Sequence, residues 1–163
     1  MNLRKIELGR CPGPRHQPTD FLDIMDYTDD NRDRGGMILV NGAGEVLLLK
    51  GADTATGQGK WSFPKGAIEP QDGTDLLKTA VREAAEETGL VAEDHYTIAS
   101  KRPVLQVHNN IFWLGVMRPD APAPTIQTTE ISEYRWVDPK KCRLDVGSLN
   151  AGVRRWLNTR RHR

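Results

Sequence analysis

The stretch that decides the fold runs from residue 82 to residue 90 and reads Arg82-Glu83-Ala84-Ala85-Glu86-Glu87-Thr88-Gly89-Leu90. Apolar side chains lead into it at the spacing of one helix face, namely Leu77, Ala80, Val81 and Ala84. Because residues three and four apart share a face of an α-helix, this period predicts a helix over 73–88. Asp72 or Thr74 is suited to cap its start, and Gly89 is suited to end it.

Short apolar runs flank this helix on both sides. Residues 35–41 and 45–50 predict a hairpin around Asn41-Gly42-Ala43-Gly44, and residues 61–63 predict a short strand that Pro64 ends. A second hairpin is predicted from 96–107 and 110–117, a further strand from 131–137 and a last helix from 146–158. Strands and helices in this order predict an α+β fold, with a mixed central sheet and helices packed on its faces.

Length and composition bound the function classes. The 163 residues suit one domain, which we place at 34–163, after an N-terminal arm of residues 1–33 that is rich in Pro, Gly and Asp. The net charge of +1 selects no polyanionic partner by itself, so any preference for phosphates must come from local groups. The first residues show no signal peptide, and no apolar run approaches a membrane span. Two isolated cysteines, Cys11 and Cys142, lack the spacing of a zinc site. Isolated thiols are more typical of a reducing compartment, so a cytoplasmic location is expected.

Three carboxylates of the helix carry the chemistry. Glu83, Glu86 and Glu87 lie three and four residues apart, so they crowd together and repel each other. An acidic helix face is most often plain solvated surface. The preceding Trp61-Ser62-Phe63-Pro64-Lys65-Gly66 changes that balance, because a strand and a sharp turn would bring a cation and backbone groups beside the carboxylates. Mg²⁺ prefers oxygen ligands, including one or two carboxylates and substrate phosphates.

These residues resemble the signature of the Nudix hydrolases, G-x5-E-x7-R-E-U-x-E-E-x-G-U with U apolar. Residues 82–90 match its second half throughout, and Gly66 with Glu69-Pro70 resembles its first half. The segment from Gly66 to Arg82 is two residues longer than the signature, and no Glu stands at the first Glu position. Counted from Gly66 that position is Asp72, and counted from Arg82 it is Thr74. The resemblance implies that Asp72 or Asp75 supports Arg82.

The resemblance also implies an α/β/α sandwich and a set of site residues. Glu83 and Glu87 would bind Mg²⁺ (or Mn²⁺), and Glu86 would bind it too or orient the attacking water. The Gly66 carbonyl would be a further ligand, and Lys65 would hold a phosphate oxygen. A carboxylate outside the helix would act as general base, with Glu130 the first candidate and Glu133 the second.

The Pro64-Lys65-Gly66 turn resembles Nudix branches that act on diadenosine polyphosphates, diphosphoinositol polyphosphates and mRNA caps. A phosphorylated small molecule is therefore the expected partner, capped RNA is the alternative, and no membrane is expected. Arg34, with Arg32, is a candidate for phosphate contact. Four aromatic residues could stack on a base, although aromatic residues in strands are more often core residues: Trp61, Tyr96, Trp113 and Trp136. Of these, Trp61 is the one predicted to contact the substrate. A basic C-terminus is most often a solvated tail. A hypothesis from another class is a catalytically silent Nudix fold that binds a ligand or partner.

Overall fold

The computed structural model describes residues 32–52 and 59–161, and their strands form one mixed sheet with a helix against each face. The predicted α+β architecture is confirmed. The strands are β1 (Arg34–Val40), β2 (Val46–Gly51), β3 (Trp61–Ser62), β4 (Lys65–Ala67), β5 (Tyr96–Ile98), β6 (Leu105–Val107), β7 (Asn110–Met117) and β8 (Ile131–Val137). The helices are α1 (Leu76–Thr88) and α2 (Ala151–Arg161), and 3-10 turns cover Pro70–Asp72 and Val146–Ser148.

The central strands are buried on both faces because each face is covered by a helix. Met37 and Leu39 of β1 pack in a cluster with Ala80 and Ala84 of α1. Ile38, between them, packs in a second cluster that includes α2 residues. Successive strand side chains point to opposite faces, so one apolar run supplies both clusters.

Strand pairing places the turn before α1 at the start of β1. β1 runs parallel to β7 along its whole length, and its other edge is divided. At its C-terminal end β1 pairs with β2 in the predicted hairpin, and at its N-terminal end it pairs antiparallel with β4. The pair Gly36 and Lys65 belongs to that second region. The loop that carries Lys65 and Gly66 is therefore held to the sheet by a backbone ladder.

Helix α1 begins later than predicted, and a different residue caps it. Asp75 is the N-cap, because its side chain accepts from the backbone N–H groups of Leu77 and Lys78. The expectation of Asp72 or Thr74 as cap is wrong, since residues 70–72 form a separate 3-10 turn that delays the helix. Gly89 ends the helix as predicted, in the left-handed conformation that glycine adopts without strain.

Other boundaries differ in detail. The predicted strand over 96–107 is two short strands, β5 and β6, and both pair with β7. The last helix begins at Ala151, after a 3-10 turn in place of its expected first residues. Of the predicted arm, residues 1–31 lie outside the described residues. No helix in the described part of the chain is long and apolar enough to cross a bilayer.

Candidate active site

The guanidinium of Arg82 lies at the centre of the acidic cluster. Its Nε and Nη2 donate to the two carboxylate oxygens of Asp72 at 3.0 and 2.8 Å, which is the bidentate geometry of a strong ion pair. Its Nη1 donates to Glu83 Oε2 at 2.9 Å and to Glu86 Oε1 at 3.2 Å. Glu69 lies 3.8 Å from the same nitrogen. One arginine therefore contacts four carboxylates.

Asp72 is the anchor of this cluster. Its carboxylate is buried and also accepts from the Glu69 backbone N–H at 3.0 Å and from the Thr79 hydroxyl at 2.9 Å. The hydrogen bonds from Arg82 are the largest cause that holds the pKa of Asp72 well below its usual range. The same bonds raise the pKa of Arg82, so the pair stays charged at every working pH. Asp75, the alternative supporter of Arg82, caps the helix instead.

Glu83 is buried against Gly66. A Cβ added at Gly66 would lie 2.5 Å from Glu83 Oε1 and closer still to Oε2 and Cδ, so only glycine leaves room for this carboxylate. Burial raises the pKa of Glu83, although the neighbouring Arg82 opposes the shift. Glu83 is therefore buried between α1 and β4 and is not part of a plain solvated surface.

Glu87 is the most perturbed carboxylate of the helix. Its Oε1 accepts from the Lys65 backbone N–H at 3.2 Å, across the gap between α1 and β4. Burial, followed by the charge of Glu83, raises the pKa of Glu87 to about 8. The charge of Glu130 adds to that rise, and Lys65 lowers it. A carboxylate with so high a pKa, next to others, is typical of a site that awaits a cation or moves a proton.

The two candidate bases lie in different surroundings. Glu130 is exposed and lies close enough to Glu87 for its charge to act there. Its carbonyl accepts from Ala52, and its N–H donates to Gln127, whose own N–H reaches the Glu87 carbonyl. Glu133 instead pairs with Arg135 at 3.2 Å. That arginine lies over the ring of Trp61, in the cluster on the α2 face of the sheet.

The substrate contacts predicted outside the helix fall into two groups. Lys65 and Arg34 lie at the site end of the sheet, where β1 and β4 pair. Trp61 requires a correction: its side chain is buried in the α2 cluster, with Arg135 Cζ 5.0 Å and Lys50 Nζ 5.9 Å from the ring centroid. No face of that ring is open to a base. The other aromatic candidates are at least partly buried in the α1 cluster, as expected for core residues: Tyr96, Trp113 and Trp136.

Two members of the network were missed by sequence reasoning. Thr79 lies one turn before Arg82 in the helix, and this spacing was the only sign in the sequence that Thr79 belongs to the network. Glu69 stands in the quoted motif, but no role was predicted for it. Among the described residues no three His, Cys, Asp or Glu side chains converge as a ready metal cluster. Glu83 and Glu86 accept from Arg82, and Glu87 accepts from the Lys65 backbone N–H.

The donor set nevertheless fits a hard divalent cation. All the candidate ligands are oxygens, from Glu83, Glu86 and Glu87 and the Gly66 carbonyl, and Mg²⁺ or Mn²⁺ prefers such ligands. Glu83 rests in the space that the absent Cβ of Gly66 leaves, beside that backbone. Burial and mutual repulsion disfavour ionised Glu83 and Glu87, and a bound cation would remove that penalty.

Comparison with known proteins gives consistent results. A coenzyme A diphosphatase, ndx-8, from Caenorhabditis elegans is 27% identical over 92 residues, covering 53% of this chain and 39% of that protein. An RNA pyrophosphohydrolase from Novosphingobium aromaticivorans is 30% identical over 126 residues, covering 65% and 76%. The asymmetrical bis(5'-nucleosyl)-tetraphosphatase of Rattus norvegicus is 32% identical over 99 residues, covering 57% and 63%. The chain thus spans well under two thirds of the first of these relatives.

Solved structures show the same fold. A C. elegans Ap4A hydrolase superposes with a TM-score of 0.52 at 23% identity, covering 66% of this chain and 80% of that one. The family model of the NUDIX domain matches residues 30–157, which include the whole sheet, the acidic helix α1 and the loop that faces it. With the Arg82-centred carboxylates and the glycine that makes room for them, this match shows that the chain belongs to the NUDIX family.

Proposed function

We propose that this protein is a divalent-metal-dependent pyrophosphohydrolase that cleaves a diphosphate linkage in a nucleoside polyphosphate or a diphosphoinositol polyphosphate. The observation that carries the proposal is the arrangement of Glu83, Glu86 and Glu87 on one helix opposite the Lys65-Gly66 loop. Glu87 and the Lys65 backbone are within hydrogen-bond distance, so the acidic helix and the basic turn form the two walls of one site. Either wall alone would be ordinary surface.

The residues take distinct roles in this proposal. Glu83, Glu86, Glu87 and the Gly66 carbonyl would hold Mg²⁺ or Mn²⁺, which when bound neutralises phosphate charge and acidifies a water molecule. Lys65 holds a non-bridging phosphate oxygen and thereby orients the diphosphate for in-line attack. Glu86, whose carboxylate is about half exposed, would also orient the attacking water.

Glu130 is the proposed general base. Its carboxylate is exposed, and its backbone is tied through Gln127 to the Glu87 carbonyl. This tie keeps the Glu130 backbone near the helix, from which its side chain would take the proton of the attacking water. Glu133 is disfavoured because its partner Arg135 covers Trp61 in the core cluster on the α2 face, away from α1.

The substrate class rests on the turn and on the relatives. The Pro64-Lys65-Gly66 turn favours diadenosine or diphosphoinositol polyphosphates, and the rat relative is named a bis(5'-nucleosyl)-tetraphosphatase. A second candidate is the 5' end of RNA, capped or phosphorylated, because the bacterial relative is named an RNA pyrophosphohydrolase. We also propose that the protein is cytoplasmic. Residues 1–33 are proposed as an arm that precedes the domain.

A substrate panel tests the proposal. Capped RNA, 5'-triphosphorylated RNA, diadenosine tetraphosphate, a diphosphoinositol polyphosphate, nucleoside triphosphates and ADP-ribose are incubated with protein and Mg²⁺, and phosphate-containing products are separated. We expect cleavage of at least one of the first four and loss of most turnover in Glu86→Gln and Glu87→Gln. Turnover of ADP-ribose or nucleoside triphosphates alone would contradict the favoured diadenosine and diphosphoinositol substrates, while leaving the pyrophosphohydrolase activity in place. Equal inertness of wild type and variants would favour a silent binding module.

A matched pair of variants tests the base. Glu130→Gln removes the proposed base, and Glu133→Gln removes the same charge three residues away. We expect kcat to fall roughly 10²-fold or more in Glu130→Gln, as for loss of a general base, and to stay near wild type in Glu133→Gln. Equal kcat values in the two variants would remove Glu130 from the mechanism.

A further inference from the structure

The carboxylate of Asp72 is held by more donors than the ion pair with Arg82 needs. Its Oδ2 alone accepts from Arg82 Nη2, from the Glu69 N–H and from the Thr79 hydroxyl, at 2.8, 3.0 and 2.9 Å. Oδ1 is left to Arg82 Nε. The Glu69 N–H and the Thr79 hydroxyl hold Oδ2 independently of the arginine, so the carboxylate plane cannot rotate. The carboxylate therefore presents both oxygens to the guanidinium. We call this set of hydrogen bonds the Asp72 clamp.

Within the Asp72 clamp, the Thr79 hydroxyl is the donor whose side chain is fixed by packing. It is fully buried, and a Cβ on Gly35 of β1 would lie 3.2 Å from its own Cβ, so the side chain is packed directly on the sheet. It lies three residues before Arg82, on the neighbouring turn of α1. The hydroxyl therefore ties Asp72, which belongs to the longer loop, to the helix that carries the carboxylates.

The orientation of Arg82 decides where two proposed metal ligands lie. Asp72 accepts from Nε and Nη2, and Nη2 also donates to the Ala67 carbonyl at 3.2 Å. The remaining nitrogen, Nη1, contacts both Glu83 and Glu86. A guanidinium is rigid and planar, so a rotation of Asp72 would carry Nη1 away from the two carboxylates. Groups that orient metal ligands from behind commonly change metal affinity when they are removed.

We propose that Thr79 is a positioning residue for the metal site, acting through Asp72 and Arg82 on Glu83 and Glu86. The inference rests on the proposed function, because it assumes that these glutamates bind a divalent cation. The Thr79 hydroxyl compensates for the two extra residues between Gly66 and Arg82: it holds the displaced acidic residue where the guanidinium needs it.

Two variants of Thr79, of which the valine is isosteric, and one control test the inference. Thr79→Val keeps the shape and removes the hydroxyl, and Thr79→Ser keeps the hydroxyl. Thr88→Val removes an equally buried hydroxyl from the same helix, where it bonds only backbone groups. Mn²⁺ or Mg²⁺ is titrated into the folded full chain by calorimetry, and thermal unfolding is recorded without metal.

We expect roughly tenfold weaker metal binding in Thr79→Val, with Thr79→Ser close to wild type. Thr88→Val should lower the unfolding temperature without weakening metal binding. A merely structural Thr79 would lower the unfolding temperature and leave the metal affinity of the folded protein unchanged, and that result would overturn the inference.

A readout without metal separates this inference from the proposed function. In ¹⁵N-labelled metal-free protein, solvent exchange of the Arg82 Nε–H proton reports directly on the Asp72 clamp. We expect faster exchange in Thr79→Val than in wild type or Thr88→Val, and unchanged exchange would refute the clamp. If metal binds and Thr79→Val weakens it while no substrate of the panel is cleaved, the proposed function fails alone.

Discussion

Replacing Gly66 by alanine should prevent Glu83 from binding the metal, although the glutamate itself is unchanged. The added Cβ would lie 2.5 Å from Glu83 Oε1, whereas ordinary contact begins near 3.4 Å, so the carboxylate must retreat by about 1 Å. Metal–oxygen distances tolerate errors of only about 0.2 Å. Glu83 would thus leave the coordination sphere, although the residue 66 carbonyl stays in place.

The expected magnitude follows from the lost ligand. We expect metal affinity to fall at least ~100-fold, equivalent to about 2.7 kcal/mol, since even the removal of groups behind a ligand costs 10- to 100-fold. The cost in folding should be smaller. The displaced Glu83 loses its 2.9 Å hydrogen bond to Arg82, worth about 1.5–3 kcal/mol, and water can replace part of it.

The assay pairs calorimetric Mg²⁺ titration with thermal unfolding in a chelator. Gly42→Ala is the matched control, because a Cβ added in that exposed turn meets nothing within 4 Å. The control should match wild type in both measurements. Wild-type metal affinity and turnover in Gly66→Ala would refute the idea that Glu83 binds metal from the space beside Gly66.

Three further predictions concern the electrostatics of the site. Between about pH 4.5 and pH 8, Glu87 is protonated in the folded metal-free chain and ionised in the unfolded chain. The unfolding free energy therefore falls as pH rises across that interval, by up to a few kcal/mol from this group. Unfolding in a chelator at several pH values should show a smaller loss in Glu87→Gln, and equal slopes would contradict the raised pKa. Mg²⁺ affinity should rise with pH over the same interval, because the metal requires the ionised form. Asp72→Asn should lower the unfolding free energy by roughly 1.5–3 kcal/mol, since it removes the buried negative charge that accepts two hydrogen bonds from Arg82 while Glu83 and Glu86 stay beside the guanidinium. Chemical denaturation measures this loss, and a midpoint equal to that of wild type would contradict the central role of the pair.

Much of the fold could be predicted because it depends on local patterns. The apolar period before Arg82 predicted α1, and the turn around Asn41 predicted the first hairpin, since side-chain spacing and turn chemistry act within a few residues. Helix boundaries were less predictable. The cap moved to Asp75 because residues 70–72 form a turn of their own, and the preference of an acidic residue for a cap does not say which of several neighbours will serve.

The candidate site was predictable as a set of residue types but not as an arrangement. Glu83, Glu86 and Glu87 were singled out by their spacing, by the turn that precedes them and by the resemblance to the Nudix signature. Spacing could not show that Glu83 turns inward beneath Gly66. Nor could it show that Trp61, a candidate for stacking, is covered by two cations and lies in the core, because both outcomes depend on neighbours far away in the chain.

By itself, the sequence determined that an acidic helix follows a Lys-Gly turn, since that depends on residue order. It left open which acidic residue supports Arg82, because Asp72 and Asp75 both lie within reach along the chain. Only the tertiary structure decided for Asp72, by burying it between the Glu69 backbone and Thr79 so that its oxygens meet the guanidinium. The physical reason is that an ion pair depends on distance and burial in space, which residue order constrains only within a turn or two.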